Sequence, residues 1–198
     1  MRAAPLALAL MLAGPALAQD SAGVDDMMAA CAPISASSGS IRADLVGAGW
    51  SAETLQSGAQ TLRDLLGSHM WSFAGGAPVA DQLASIDQYY VAFVASLNDP
   101  AFGQIYARAD GAIVVLSQGT NLSCFWAGEE SDVFAERVAA VGGFPQAEDS
   151  DVTTAALTQT VEFGASDWTR IESYAILTEE GRVGHYPAAA RLDRSPVQ

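Results

Sequence analysis

The densest local gathering of reactive side chains is Thr178-Glu179-Glu180-Gly181-Arg182-Val183-Gly184-His185-Tyr186. Folded about its turn, this stretch brings two carboxylates, a guanidinium, an imidazole and a phenol within a few residues of one another. That is enough for a general acid/base pair of a hydrolase, His185 with Glu179 or Glu180, or for a polar recognition patch. The same residues also make an exposed turn of solvated charges with Tyr186 packed at a sheet margin, and charged turns outnumber active-site hairpins.

Elsewhere the chemistry is sparse. The only two histidines, His69 and His185, are far apart in sequence and belong to no His-Glu-x-x-His motif. A catalytic zinc usually takes three protein ligands, so zinc is not expected. No Gly-x-Ser-x-Gly elbow is present, which removes the most recognisable serine hydrolase signature. All nine basic residues are arginine. The absence of lysine excludes a Schiff-base enzyme, a phosphate-binding loop ending in Gly-Lys-Ser/Thr and a Ser-x-x-Lys acyl enzyme. Glu148, Asp149 and Asp151, with Glu129, Glu130 and Asp132, could offer oxygens to calcium, but the glycine and distal glutamate of an EF-hand loop are missing. No metal and no cofactor is expected.

Four tryptophans, Trp50, Trp71, Trp126 and Trp168, invite a carbohydrate or aromatic-ligand reading beside their ordinary use as core packing. Trp71, Phe73 and Trp168 border loop sequence and, with Tyr186, are the candidates for a binding surface. The partner would be a protein or a small-molecule ligand.

Residues 1–18 combine Arg2, an apolar run from Leu6 to Ala13 and the Ala16-Leu17-Ala18 cleavage box, which is the pattern of a secretory signal peptide. The mature chain is expected to begin at Gln19, with no later stretch long and apolar enough for a transmembrane helix. Met28-Ala29-Ala30-Cys31 resembles a lipidation box, but Asp20, Asp25 and Asp26 separate it from the apolar run, so a lipid anchor is not expected. The net charge of -14 repels phosphate backbones, which argues against nucleic acid as a partner. Arginine without lysine, and abundant alanine and glycine, suggest a GC-rich bacterial source, hence a periplasmic or secreted protein. In that compartment Cys31 and Cys124 are expected to pair in a structural disulfide.

The elements that would carry these residues follow from periodicity. Val24, Met27, Met28 and Cys31 mark one helical face, ended by Pro33. A brief helix with Ile41, Leu45 and Ala48 follows, then Trp50, then a helix capped by Ser51 with Leu55, Ala59, Leu62, Leu66 and Met70 in line. Trp71 to Gly76 reads as a loop. Pro78 opens the clearest helix, through Val79, Leu83, Ile86, Tyr90, Phe93 and Leu97, stopped at Asn98-Asp99-Pro100. Gln104 to Arg108 and Ile113 to Leu116 are strands joined at Asp110-Gly111, and Ala112 to Gly128 forms a central hairpin that turns at Gln118-Gly119-Thr120-Asn121. Ser131 caps one more helix through Val141.

Beyond the acidic loop the period changes to two, predicting a strand over 155–163, another over 171–177 and a last one over 182–186 that Pro187 restricts to an edge. Arg191 to Gln198 reads as a frayed tail. The sum is an α+β fold, with an N-terminal helical segment (about 23–98) packed on one face of a C-terminal antiparallel sheet (about 104–190) that one helix interrupts. A single domain over 19–198 is expected. Catalytic residue types being few and stapled, aromatic-rich packing plentiful, the functional expectation is a non-catalytic periplasmic binding or accessory module, with the His185 hydrolase as the alternative.

Overall fold

The computed structural model describes residues 22–74, 77–145, 151–180 and 183–197. Residues 1–18, expected to be a signal peptide, and Glu148, Asp149, Gly181 and Arg182 lie outside the described residues. The architecture is α+β. Helices α1 (Ala22–Cys31), α2 (Ser38–Gly47), α3 (Ala59–Ser68), α4 (Met70–Phe73) and α5 (Val79–Leu97) come early, and α6 (Asp132–Ala140) interrupts the strands. The strands are β1 (Ser51–Glu53), β2 (Gly103–Arg108), β3 (Gly111–Gln118), β4 (Asn121–Gly128), β5 (Phe144–Pro145), β6 (Val152–Phe163), β7 (Ser166–Leu177) and β8 (Ala188–Pro196). They form one antiparallel sheet in the order β1-β2-β3-β4-β8-β7-β6-β5.

Helices cover both faces of this sheet, not one. Because successive strand residues point to opposite faces, Ile113, Val115, Cys124, Trp126, Ala190 and Leu192 meet Val24, Met27 and Ile41 of α1 and α2 and Phe134 and Val138 of α6. Their neighbours Ala112, Val114, Phe125 and Ala127 meet Leu62, Leu65 and Leu66 of α3 and Phe93 and Leu97 of α5. The short connection between α2 and α3 runs along the sheet edge as β1, which lets the chain cross from one face to the other.

The predicted stripe of α1 is realised, with Val24, Met27 and Cys31 fully buried. Cys31 and Cys124 are bonded across 93 residues of sequence and tie α1 to β4. A second tie is polar: the Asp26 carboxylate accepts from Trp50 Nε1 at 3.1 Å and from Arg108 Nη1 at 2.9 Å. The Arg108 guanidinium also lies 4.3 Å over the Trp50 ring and bonds Asp110 at 2.6 Å. Ser131 caps α6 as expected, accepting from Phe134 N at 3.2 Å.

Several expectations are corrected. Ser51 starts a strand instead of capping a helix, because the Thr54 and Ser57 hydroxyls each accept the other's backbone N–H in a turn that delays the helix to Ala59. Trp71 and Phe73 belong to a helical turn instead of a loop. Leu83, assigned to the inner face of α5, is 52% exposed. Residues 183–186 are not a strand, and the supposed tail from Arg191 carries most of β8, which pairs with β4 on one side and β7 on the other. Pro187 precedes that strand and does not confine it to an edge.

Among the described residues no helix is long and apolar enough to cross a membrane.

Candidate functional site

The sequence motif around His185 lies between β7 and β8, with its described residues 178–180 and 183–187 outside any strand. Its neck is closed by Leu177 N donating to Pro187 O at 2.8 Å. Its far side rests on α3, where Ser68 Oγ donates to Tyr186 O at 2.9 Å. The Tyr186 ring is half-buried against the cluster of α3 and α5. Burial, with the Asp64, Glu129 and Asp110 carboxylates behind it, raises the Tyr186 phenol above the ordinary tyrosine range. Glu179, Glu180 and His185 are all exposed. The His185 ring lies edge-on to Tyr186 at 5.3 Å between centroids. None of the three lines the clefts bordered by Trp71 and Trp168.

The other histidine is enclosed. His69 follows α3 and is fully buried. Its Nε2 is 3.0 Å from Trp126 O; a carbonyl only accepts, so Nε2 carries the proton. Burial first, with the nearby Arg191 charge, lowers its pKa to about 3. The ring is therefore neutral, held among Trp71, Phe73 and Phe125. It is a core residue and has no path to a substrate.

The four aromatic candidates separate. Phe73 is partly buried against the cluster of α3 and α5, stacked on Tyr89 at 4.8 Å and edge-on to Phe93 at 5.9 Å. Tyr186 is docked as above. Trp71 borders an open cleft of about 410 Å³ with Val141, Gly142, Thr154, Ala155, Ala156 and Ser173, beside the edge of β6. Trp168 lines a cleft of about 280 Å³ whose other walls come from three separate elements. The α1–α2 connection supplies Ile34, Ala36, Ser37 and Ser38; the β3–β4 hairpin supplies Ser117, Gly119, Thr120, Asn121 and Leu122; β8 supplies Arg194.

The Trp168 cleft is built by the topology. Trp168 and Pro196 are paired across β7 and β8, and Leu122 and Arg194 across β4 and β8, so the indole and the hairpin tip are set by sheet register. Arg194, only 5% exposed, donates Nη1 to Pro33 O and Nη2 to Ala36 O, pinning the third wall. Burial pulls its pKa below the ordinary arginine value. Ser37 is committed to α2, where it accepts from Ser40 N at 3.2 Å in a capping box. Thr120 and Asn121 are exposed at the rim. The cleft thus sets one indole among hydroxyl and amide side chains, with the Arg194 guanidinium bonded to backbone carbonyls of the wall. Sequence reasoning had Trp168 but missed Arg194, which lies in the supposed tail, and it read 118–121 only as a turn.

Among the described residues no three His, Cys, Asp or Glu side chains gather as a metal site. Comparison with known protein families, with curated proteins and with solved structures gives no match to this chain.

Proposed function

We propose that this chain is an exported, non-catalytic binding module that takes a neutral, polyhydroxylated small ligand, of the sugar class, in the Trp168 cleft. The observation that carries the reading is the pairing of the Trp168 indole with Ser117, Thr120 and Asn121 on walls fixed by sheet register and by Arg194. An indole face stacks on the C–H groups of a sugar ring, while hydroxyls and a carboxamide both donate and accept, as a polyol requires. The cleft, at about 280 Å³, suits one or two rings. Working in the periplasm or outside the cell is supported by the signal-like N-terminus and by the Cys31–Cys124 bond, which oxidising compartments favour.

The test is isothermal titration of the oxidised protein with a panel of neutral mono- and disaccharides, repeated on Trp168→Ala and Trp71→Ala. Binding that Trp168→Ala abolishes and Trp71→Ala leaves intact supports the reading. No heat from any sugar with the parent protein, or equal binding by Trp168→Ala, rejects it. The hydrolase alternative, through His185 with Glu179 or Glu180, has weaker support because those groups are exposed and border neither tryptophan cleft. Turnover of any substrate that His185→Ala eliminates without change in melting temperature would restore it.

A further inference from the structure

β6 runs from Val152 to Phe163, but its outer neighbour β5 pairs only with Thr153 and Thr154. Among the described residues no strand covers the remainder. That edge is open along its length: Ala156, Leu157, Thr158, Thr160, Glu162 and Phe163 are exposed. Its backbone groups can be placed. Val197 N donates to Asp167 O at 2.8 Å, so Asp167 turns its backbone toward β8. By alternation Ser166 and Trp168 turn theirs toward β6, onto partners Phe163 and Val161. The amides and carbonyls of Ala156, Thr158, Thr160 and Glu162 therefore point outward. Natural edges are normally blunted by lysine, proline or a bulge. This one has none of these within 156–163; its one charge is Glu162, and Leu157 and Phe163 are 36% and 48% exposed.

We infer that this edge is where two copies of the chain associate, antiparallel, with Thr160 of each protomer opposite Thr160 of the other on a two-fold axis. The sequence of the edge is complementary to itself in that register. Leu157 faces Phe163 twice, on the sheet face that carries α1, so the apolar residues exposed on each β6 cover one another. Glu162 faces Thr158, so no like charges oppose across the axis. Thr160, Thr158 and Glu162 are the residues whose backbone groups point outward, so the same register completes the hydrogen-bond ladder. The free length also fits: the chain turns back at Gly164, whose φ is +65°, so the partner strand ends at Phe163 opposite Leu157, short of Thr154 where β5 begins. A contact made by one edge strand of each copy is small, so a reversible dimer is expected. Because both copies are strongly acidic, the dimer tightens as salt rises from low to physiological strength.

Sedimentation equilibrium on the full chain, expressed with export so that the disulfide forms, tests this across a wide concentration range. Thr160→Pro removes an amide that faces solvent in the protomer and costs no ladder bond within it. Phe163→Glu puts a carboxylate opposite Leu157, and it enters the dimer twice, weakening it by about tenfold or more. The expected result is a monomer–dimer equilibrium for the parent and loss of dimer in both variants, with the melting temperature kept. A parent that is monomeric throughout overturns the proposal, as does a dimer that survives in both variants. Should Thr160→Pro fail to fold, Phe163→Glu alone decides between the two outcomes.

Discussion

Gly67 of α3 and Gly184 of the loop before β8 meet backbone to backbone. A Cβ on Gly67 would lie 2.5 Å from the Gly184 Cα and N, and one on Gly184 would lie 2.3 Å from Asp64 O. This contact seats the His185–Tyr186 loop on the helix, beside the bond from Ser68 Oγ to Tyr186 O.

Gly184→Ala therefore forces backbone apart from backbone, with no flexible side chain to give way. The expected cost is about 1 to 3 kcal/mol, as for other overpacked sites. Gly67→Ala should cost a similar amount even though alanine is the better helix former. Thermal unfolding of both variants checks this; a gain in melting temperature for either would contradict the contact.

Breaking the Cys31–Cys124 bond releases a loop of 93 residues in the unfolded chain. The expected loss is about 4 to 5 kcal/mol in the chain-entropy description. Urea unfolding of the parent, oxidised and reduced, measures it, and Cys31→Ser with Cys124→Ser should match the reduced form.

His69 gives the fold a pH dependence that begins above the carboxylate range and runs on into it. Its pKa is about 3 when folded, against 6.5 for the free side chain. The unfolded chain therefore binds a proton that the folded chain refuses between those values. Stability is full above about pH 6.5 and falls by about 1.4 kcal/mol per unit as pH drops toward 3. By about pH 4 the loss amounts to about 3 kcal/mol. His69→Gln retains a donor for Trp126 O and has no proton to gain, so its urea midpoint should fall less steeply over that interval, leaving only the loss from carboxylates such as Asp110. Parallel pH profiles for parent and variant would refute this origin.

Arg194 supplies two donors to the carbonyls of Pro33 and Ala36 from a buried position. Arg194→Met should cost about 2 to 3 kcal/mol, since both carbonyls lose a charged donor. Arg194→Lys should restore little, because one ammonium lacks the planar fork that reaches two acceptors at once. Because the same carbonyls fix a wall of the Trp168 cleft, ligand affinity should fall with stability, as titration of each variant would show.

Much of the fold was legible where one face of an element is apolar. The α1 stripe came from periodicity, the β2–β3–β4 meander and α6 from their turn and cap residues, β6 from its alternation, although Leu157 and Phe163 on its expected inner face are exposed, and the cysteine pair from compartment and count. Ala188–Pro196 defeated that reasoning for a physical reason. β8 is buried on both faces, yet it achieves this with Ala188, Ala189 and Ala190 under bulky neighbours and with Arg191, Asp193 and Arg194 engaged in ion pairs or carbonyl bonds. Small and charged residues carry no strand signature, so 188–190 was assigned no strand and 191–198 read as a tail. The candidate site was obscured with it: Trp168 was visible, but the Arg194 that shapes its cleft was not. Phe73 was misplaced for the opposite reason, since a short helical turn flanked by glycines reads as loop while tertiary packing draws the ring inward.

The place of β8 in the sheet has a consequence for when this protein can fold. The strand latest in the sequence lies between β4 and β7, so the two halves of the sheet share no direct ladder until it arrives. A nascent chain still lacking residues 188–196 can form its hairpins but cannot join them. Joining the two halves of the sheet therefore waits on β8, whichever half forms first.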